Sequence, residues 1–399
     1  RGIRVEGKSL RVLNTSKSLG AQMSFDRRWH ACPDTQARLQ SASDCCDRVR
    51  SVPLGLEEKA LLASSMVNSK LLYDTCVQPL GKRDLSTWRS RVCTSIWGTS
   101  HPNRCLEIIF SLLTRGHATD PLQASIFRVL NTARRMLTRY PDLHEQWASV
   151  VECKHDHGVR NGHGSAARFL WAIRQIGWPL EPGCLSATTR EGEYISFLEQ
   201  DDEHFAHIIR EDMRTMVWLQ AAARRSDMSG IEQGIDRDAT LVYVNSQRGA
   251  RKRRAMTVLA GALETRERKH RRHLAQHPNC LFCPGNIPET TTHIIHACPK
   301  WAHHRARRPE FFEPQVEDCP CVNECGLVPE HMAAKAAERT LDELIEPENA
   351  HESHNQHCES FTDLGAVIVF TDGSCPRNAH RRPRRAGYGI CWGDAHPMN

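Results

Sequence analysis

Long apolar runs are what this 399-residue chain most lacks. No stretch approaches the roughly 18 consecutive apolar residues that a membrane-spanning helix needs. The best run, Leu364-Gly-Ala-Val-Ile-Val-Phe370, suits one buried strand. No charged, then apolar, then small-residue pattern opens the chain, so it shows no secretory or transit signal. Internal repeats are also missing. Lysine is scarce: of 53 basic residues 10 are Lys and 43 are Arg, against 47 Asp plus Glu. A composition of 40% hydrophobic and 25% charged residues excludes a collagenous or wholly disordered chain. The length allows two or three domains. Residue 1 is Arg rather than Met, and strand-like sequence is still running near Asn399, so an internal piece of a longer polypeptide is expected.

What is abundant is cysteine, with 17 residues, and arginine. A disulfide scaffold is expected only in a short secreted chain, so scattered thiols here point to a reducing, intracellular compartment, nucleus or cytoplasm. The planar fork of arginine binds phosphates bidentately and stacks on bases, which favours a nucleic-acid partner; a GC-rich genome would enrich Arg equally well. Between Arg248 and His273 stand ten Lys or Arg and two Glu, including Arg251-Lys252-Arg253-Arg254. A charge run of this kind is either a solvated helix face or a phosphate-binding surface.

Helical spacing of apolar residues runs through Leu56, Ala60, Leu61, Met66, Val67, Leu71 and Leu72, and again through Trp88, Val92, Ile96 and Trp97. Further helices are expected over 122–139, 143–152, 165–176 and 202–225, separated by Gly and Pro clusters at 158–164, 177–183 and 229–234. Residues 278–330 are rich in Cys, His and Pro and have little periodicity. A short helix over 333–345 and a polar, His-rich linker over 349–359 follow. Two apolar runs, 367–371 and 387–392, then flank an Arg-rich connection in the manner of a hairpin with a long loop. The fold expected is mixed but mainly α: a helical N-terminal two-thirds, a small zinc-binding module, and the first β-hairpin of an α/β domain.

Cys280-Leu-Phe-Cys283, followed by His293-Ile-Ile-His296-Ala-Cys298, has metal-ligand spacing. Two thiolates on one turn can take adjacent corners of a tetrahedron, and His293 and Cys298 can complete it. Thiolate and imidazole ligands favour Zn²⁺, and four protein ligands make the site structural. His296 competes with His293 for the third position. Cys319, Cys321 and Cys325 form a poorer cluster without a clear fourth ligand.

The strand-like run 367–371 ends in Asp372-Gly373. A carboxylate just past a buried strand can hold Mg²⁺ near a phosphate; an ordinary Asp-Gly turn is the alternative. The continuation is more specific. Thr371-Asp-Gly-Ser-Cys-Pro-Arg-Asn378, then the Arg-rich 381–385 and Ala386-Gly-Tyr-Gly389, then Trp392-Gly and His396-Pro closely resemble the start of the eukaryotic RNase H type 1 catalytic domain. The resemblance implies that Asp372 is a catalytic residue and Mg²⁺ ligand. It implies that Gly373, Ser374, Cys375 and Asn378 contact the RNA strand of an RNA–DNA hybrid, where the 2′-hydroxyls report RNA. The family cleaves that RNA with two metal ions, one activating water and the other steadying the leaving oxygen. The remaining Glu and two Asp of the family are expected beyond residue 399, so the chain as it stands is expected to be inactive.

The zinc-type cluster, Cys280 to Cys298-Pro299, resembles the zinc-binding region of non-LTR retrotransposon reverse transcriptases. Ser18-Leu-Gly20, Val52-Pro-Leu54, Lys59-Ala-Leu-Leu62 and Lys70-Leu-Leu-Tyr73 are similar to the stretch where the thumb of those enzymes begins. No Tyr-x-Asp-Asp occurs, so the polymerase carboxylates are expected upstream of Arg1. The resulting division is thumb-like residues 1–100, a helical region 101–277 ending in the basic segment, a zinc module 278–330, a helix and linker 331–360, and the RNase H opening 361–399. Two functions follow from different classes. One is a retroelement-derived RNase H domain protein whose parent cuts RNA in hybrids. The other is a non-catalytic, zinc-containing nucleic-acid-binding protein using Arg251, Lys252, Arg253 and Arg254.

Overall fold

The computed structural model describes residues 3–5, 8–10, 15–18, 21–24, 33–77, 80–99, 103–156, 164–199, 201–307 and 319–332. The chain divides into two units, Arg1–Glu338 and Arg339–Asn399, and every described residue belongs to the first. The expected helix at 333–345, the linker at 349–359, the strands at 367–371 and 387–392, and Asp372, Gly373, Ser374, Cys375 and Asn378 lie outside the described residues.

The described part is mainly helical. Two short antiparallel hairpins come first, pairing β1 (Ile3–Val5) with β2 (Lys8–Leu10) and β3 (Thr15–Ser18) with β4 (Ala21–Ser24). These were not anticipated within a helical N-terminal region. Neither was α1 (Pro33–Ser51). Its inner face is made of Thr35, Ala42, Cys45, Cys46 and Val49, all buried at helical spacing. Small and sulfur-bearing side chains carry that face, so it lacks the Leu and Ile by which an amphipathic stripe is usually found. Arg38 fastens this helix with a bidentate bond to buried Asp74, at 2.8 and 2.7 Å.

The periodic segments form helices close to where they are expected. α2 (Leu56–Leu62) runs through a wide π turn, Ala63–Val67, into α3 (Asn68–Leu71). α4 (Lys82–Trp97) buries Leu85, Trp88, Val92 and Ile96 and ends on Gly98, whose φ of 88° is the left-handed cap that glycine adopts freely. After α5 (Leu106–Ser111) and α6 (Gly116–Thr119) comes α7 (Pro121–Arg139). Asp120 starts α7: its carboxylate accepts from the Leu122 N–H, and Pro121 takes the first position, where its missing N–H costs nothing. α8 (His144–Asp156), α9 (Ser165–Ile176) and α10 (Asp202–Arg224) complete the body, with a small hairpin of β5 (Ser186–Thr188) and β6 (Tyr194–Ser196) between α9 and α10.

A run of buried rings crosses these elements. Trp147, Phe169, Phe197 and Phe205 meet edge to face, with centroids 5.1, 5.2 and 5.8 Å apart. That is the arrangement the ring quadrupoles prefer. The buried apolar cluster is continuous from Ala42 to Leu327, so α11 (Arg237–Ser246), α12 (Gly249–Leu259) and the short helix Pro320–Cys325 share one core with the long helices.

Inside this body sits a group of charges. Arg89 on α4 donates to both oxygens of Asp120 at 2.8 and 2.9 Å and lies 3.5 Å from Glu107 on α5. Arg224, at the end of α10, also pairs with Glu107. Burial opposes ionisation of Glu107, but Arg89 and then Arg224 outweigh it and hold its carboxyl below the ordinary value of 4.5. A carboxyl so depressed contributes stability above about pH 4.5 and loses it as the pH falls through its folded value. Arg89→Met leaves two buried carboxylates short of their partner and is expected to cost about 3 kcal/mol or more at neutral pH. Urea unfolding checks this, and the deficit is expected to shrink when the same comparison is made below pH 4.5, as Glu107 takes up a proton.

Candidate metal centre and basic helix

The metal-type residues come together on a loop and a turn. The loop is held as a narrow hairpin: Asn279 pairs with Pro288, Cys280 N–H donates to Ile287 O at 2.9 Å, and Glu289 N–H to Pro278 O at 2.8 Å. Cys280 sits on its first arm and Cys283 at its tip, and Gly285, with φ of 93°, helps make the reversal. The second pair comes from a π turn, His293–Ala297, started by a hydrogen bond from His293 N–H to the Thr290 hydroxyl at 3.0 Å. It is closed by Cys298 N–H donating to His293 O at 2.7 Å, five residues back. Cys280, His293 and Cys298 are buried and Cys283 is half-buried.

The four ligand atoms, three Sγ and one imidazole nitrogen, all lie within 4.8 Å of one another. Cys280 Sγ to Cys298 Sγ is 3.9 Å, Cys283 Sγ to Cys298 Sγ is 3.8 Å, and Cys283 Sγ to His293 Nε2 is 3.3 Å. Tetrahedral zinc with bonds of about 2.3 Å to sulfur has S–S edges of about 3.8 Å, so the donor set fits that ion in type and size. Among the described residues this is the one His, Cys and carboxylate group with such convergence. His296 does not join it: its Nε2 stands 2.9 Å from the backbone oxygen of Asn323.

The thiols feel one another. Burial first, and then the neighbouring Cys298 and Cys280, push Cys283 up to about 12. Cys298 goes the other way: burial opposes its ionisation, but backbone N–H groups at Lys300 and Trp301 and the adjacent thiols outweigh it. Three thiols this close cannot ionise together without a cation among them.

A clamp joins this loop to the helical body. α13 (Arg266–Arg271) opens with the Thr265 hydroxyl accepting from Arg268 N–H, and Glu289 Oε1 of the metal loop accepts from Arg266 N–H at 2.9 Å. The Arg268 guanidinium bonds Gly261 O at 2.7 Å, Leu263 O at 3.0 Å and Asp227 at 3.0 Å. Arg225 holds the same Asp227 bidentately, at 2.9 and 2.7 Å, and also reaches Asn103 O and Gly261 O. Burial opposes ionisation of Asp227, but Arg225 and then Arg268 keep its carboxyl below the ordinary range. The second cysteine cluster packs nearby. The thiols of Cys321 and Cys325 are buried against the Leu327 and Asp227 carbonyls, and burial pushes both up.

The basic segment is not uniform. Arg251, Lys252, Arg253 and Arg254 lie on α12, where the three arginines are exposed and Lys252 pairs with Glu57 of α2 at 3.3 Å. On and after α13, Arg268 is committed to the clamp, Arg271 to Glu267 and Arg272 to Glu264. Sequence reasoning missed this division, because the partners are acids one turn away or far along the chain. It also missed the outer face of the metal loop. Leu281 and Phe282 are 69% and 52% exposed there; Lys300 Nζ stands 5.6 Å from the Phe282 ring, Trp301 meets that ring edge-on at 6.2 Å, and His304 stacks on Trp301.

Comparison with known proteins finds a short region related to RNase H. It is similar to Ribonuclease H1 of Homo sapiens, at 50% identity over 42 residues, which covers 10% of this chain and 14% of that protein. Ribonuclease H1 of Mus musculus is 35% identical over 79 residues, covering 16% of this chain and 27% of the relative. The chain thus spans roughly a seventh to a quarter of the curated relatives it matches. No family model and no solved structure matches it.

The geometry assigns different fates to the two histidines. One zinc per chain, observed by native mass spectrometry, is expected to be lost in Cys283→Ser and His293→Ala and retained in His296→Ala. Loss of the metal in His296→Ala alone would contradict the ligand set.

Proposed function

We propose that this is a retroelement-derived, nucleic-acid-binding protein carrying an RNase H type 1 region, whose parent activity is endonucleolytic cleavage of RNA in RNA–DNA hybrids. The observation that carries the reading is the 42-residue, 50%-identical likeness to Ribonuclease H1, together with the Thr371-Asp372-Gly373 signature and Asn378. In this reading Asp372 is the first Mg²⁺ ligand, and Gly373, Ser374, Cys375 and Asn378 meet the RNA strand. Residues 1–100 are thumb-like, 101–277 helical and basic at their end, 278–330 a zinc module, 331–360 a helix and linker, and 361–399 the RNase H opening. One carboxylate does not hold two metals, so hydrolysis needs the further family carboxylates.

A second reading, binding without catalysis, draws on a separate observation. Exposed arginines on α12 and the exposed Phe282 with Lys300 supply both ingredients of single-strand recognition, phosphate charge and a stacking surface.

The test is hybrid binding by the full chain, followed by fluorescence anisotropy over a salt series. Arg251, Arg253 and Arg254 each neutralising a phosphate give a log–log slope of about −2.7, at about 0.9 per phosphate. Arg253→Ala is expected to reduce that slope by about 0.9, whereas Lys252→Ala, already paired with Glu57, changes it little. Salt-independent binding would remove both readings. Catalysis is tested separately in a chain extended to supply the remaining carboxylates: Mg²⁺-dependent cleavage of the RNA strand that Asp372→Asn abolishes supports the first reading, and binding with no cleavage favours the second.

A further inference from the structure

The helical body also holds a cavity of about 450 Å³ between α5, α6, α7, α10 and the first residue of α11. Every side chain on its wall is polar, and four are arginines: Arg115, Arg210, Arg214 and Arg237. Ser111, Thr114, His117 and Gln123 complete the polar lining, and no carboxylate is among the described residues that form it. Glu211 pairs with Arg214 from the same helix and offsets that charge, and the other three arginines keep the wall net positive. The Nε of Arg237 is buried and finds no hydrogen-bond partner among the described residues. Arg210 directs its Nε to Ala206 O at 2.8 Å, one turn back on α10.

Like charges gathered on one wall repel one another, and an unpaired buried N–H costs free energy. Both costs are relieved by an anion. The imidazole of His117 registers the same field: burial first, and then Arg210, Arg214 and Arg115, hold it down to about 4, so it enters the cavity neutral and able to donate from one nitrogen. A single carboxylate satisfies one guanidinium fork, whereas several forks converging on one space match the multiple oxygens and charges of phosphate. The volume exceeds that of a bare phosphate group and admits two linked ones.

We infer that this cavity is a binding site for a phosphate or diphosphate group, held by Arg210, Arg214 and Arg237 with the exposed Arg115 also on its wall. Such a group occurs on free nucleotides and diphosphates and at the phosphorylated end of a nucleic-acid strand. The site is separate from α12 and from the metal loop, so it stands whether or not hybrid binding does.

Titration calorimetry of the full chain with inorganic pyrophosphate tests it. Saturable binding of one pyrophosphate is expected, weakened about tenfold or more in Arg210→Gln and Arg237→Gln, each of which removes a charge-assisted hydrogen bond. Arg83→Gln, exposed on α4, is expected to bind pyrophosphate as the parent does. Arg210 is half-buried on a long helix, so that variant decides the matter if Arg237→Gln does not fold. A single-stranded oligonucleotide with a 5′-phosphate is compared with its 5′-hydroxyl twin. A preference for the phosphate that Arg210→Gln abolishes identifies a strand end as the source, and equal binding of the two identifies a free phosphate compound. Absence of saturable pyrophosphate binding at millimolar concentration, or an Arg210→Gln protein with native circular dichroism and undiminished binding, overturns the inference.

Discussion

Asp227 is the point on which the arrangement of the described residues turns. Two arginines, Arg225 just past the end of α10 and Arg268 on α13, close on its carboxylate, and each also bonds backbone carbonyls of the 261–263 turn or of Asn103. α13 is thereby fixed at the end of α10, and the metal loop is fixed through α13 by the Glu289 bond to Arg266 N–H. Cys325 rests on the carbonyl of the same Asp227. An ion pair exposed to water stabilises little; one half-buried and bidentate, with its remaining donors on main-chain oxygens, sets orientation as well as energy. The clamp and the His296 bond to Asn323 O together hold the metal region to the rest of the described residues.

The same economy of partners explains why an Arg-rich chain is not everywhere a nucleic-acid surface. Arg38, Arg89, Arg224, Arg225, Arg268 and Arg272 are engaged internally, several of them with carboxylates that are nearly fully buried. Three exposed arginines stand together on α12, and four more line the cavity beside α10. Arginine serves both purposes because its fork keeps its charge when buried and still matches planar acceptors. The count of arginines therefore says less than their partners do.

The long helices were legible because Trp88, Val92 and Ile96, or Leu122, Ile126 and Val129, repeat at helical spacing within a short window. The metal cluster was legible for a related reason: Cys280, Cys283, His293 and Cys298 lie within one short stretch, and local spacing reports local geometry. Between His293 and His296 the spacing was silent. The choice is made by Asn323, whose carbonyl engages His296 from a distant segment. α1 was hidden by its small, thiol-rich face, and the cavity by its makers coming from five separate elements. No window of sequence holds Arg115, Arg210 and Arg237 together. The RNase H signature is the reverse case, plain in residues 371–378 and lying where no described residue stands.

The π turn at His293–Ala297 has a consequence for the length of the chain at that point. In a regular α-helix, residues five apart point about 140° away from each other. His293 and Cys298 are five apart, yet both reach the same ion-sized space, because the turn closes on a bond between those same two residues. One residue more between them would carry Cys298 about 100° further round the turn and out of the group. The four residues 294–297 thus act as a spacer whose number matters more than their identity. This segment is expected to tolerate substitution far better than insertion, unlike the surface loops around it.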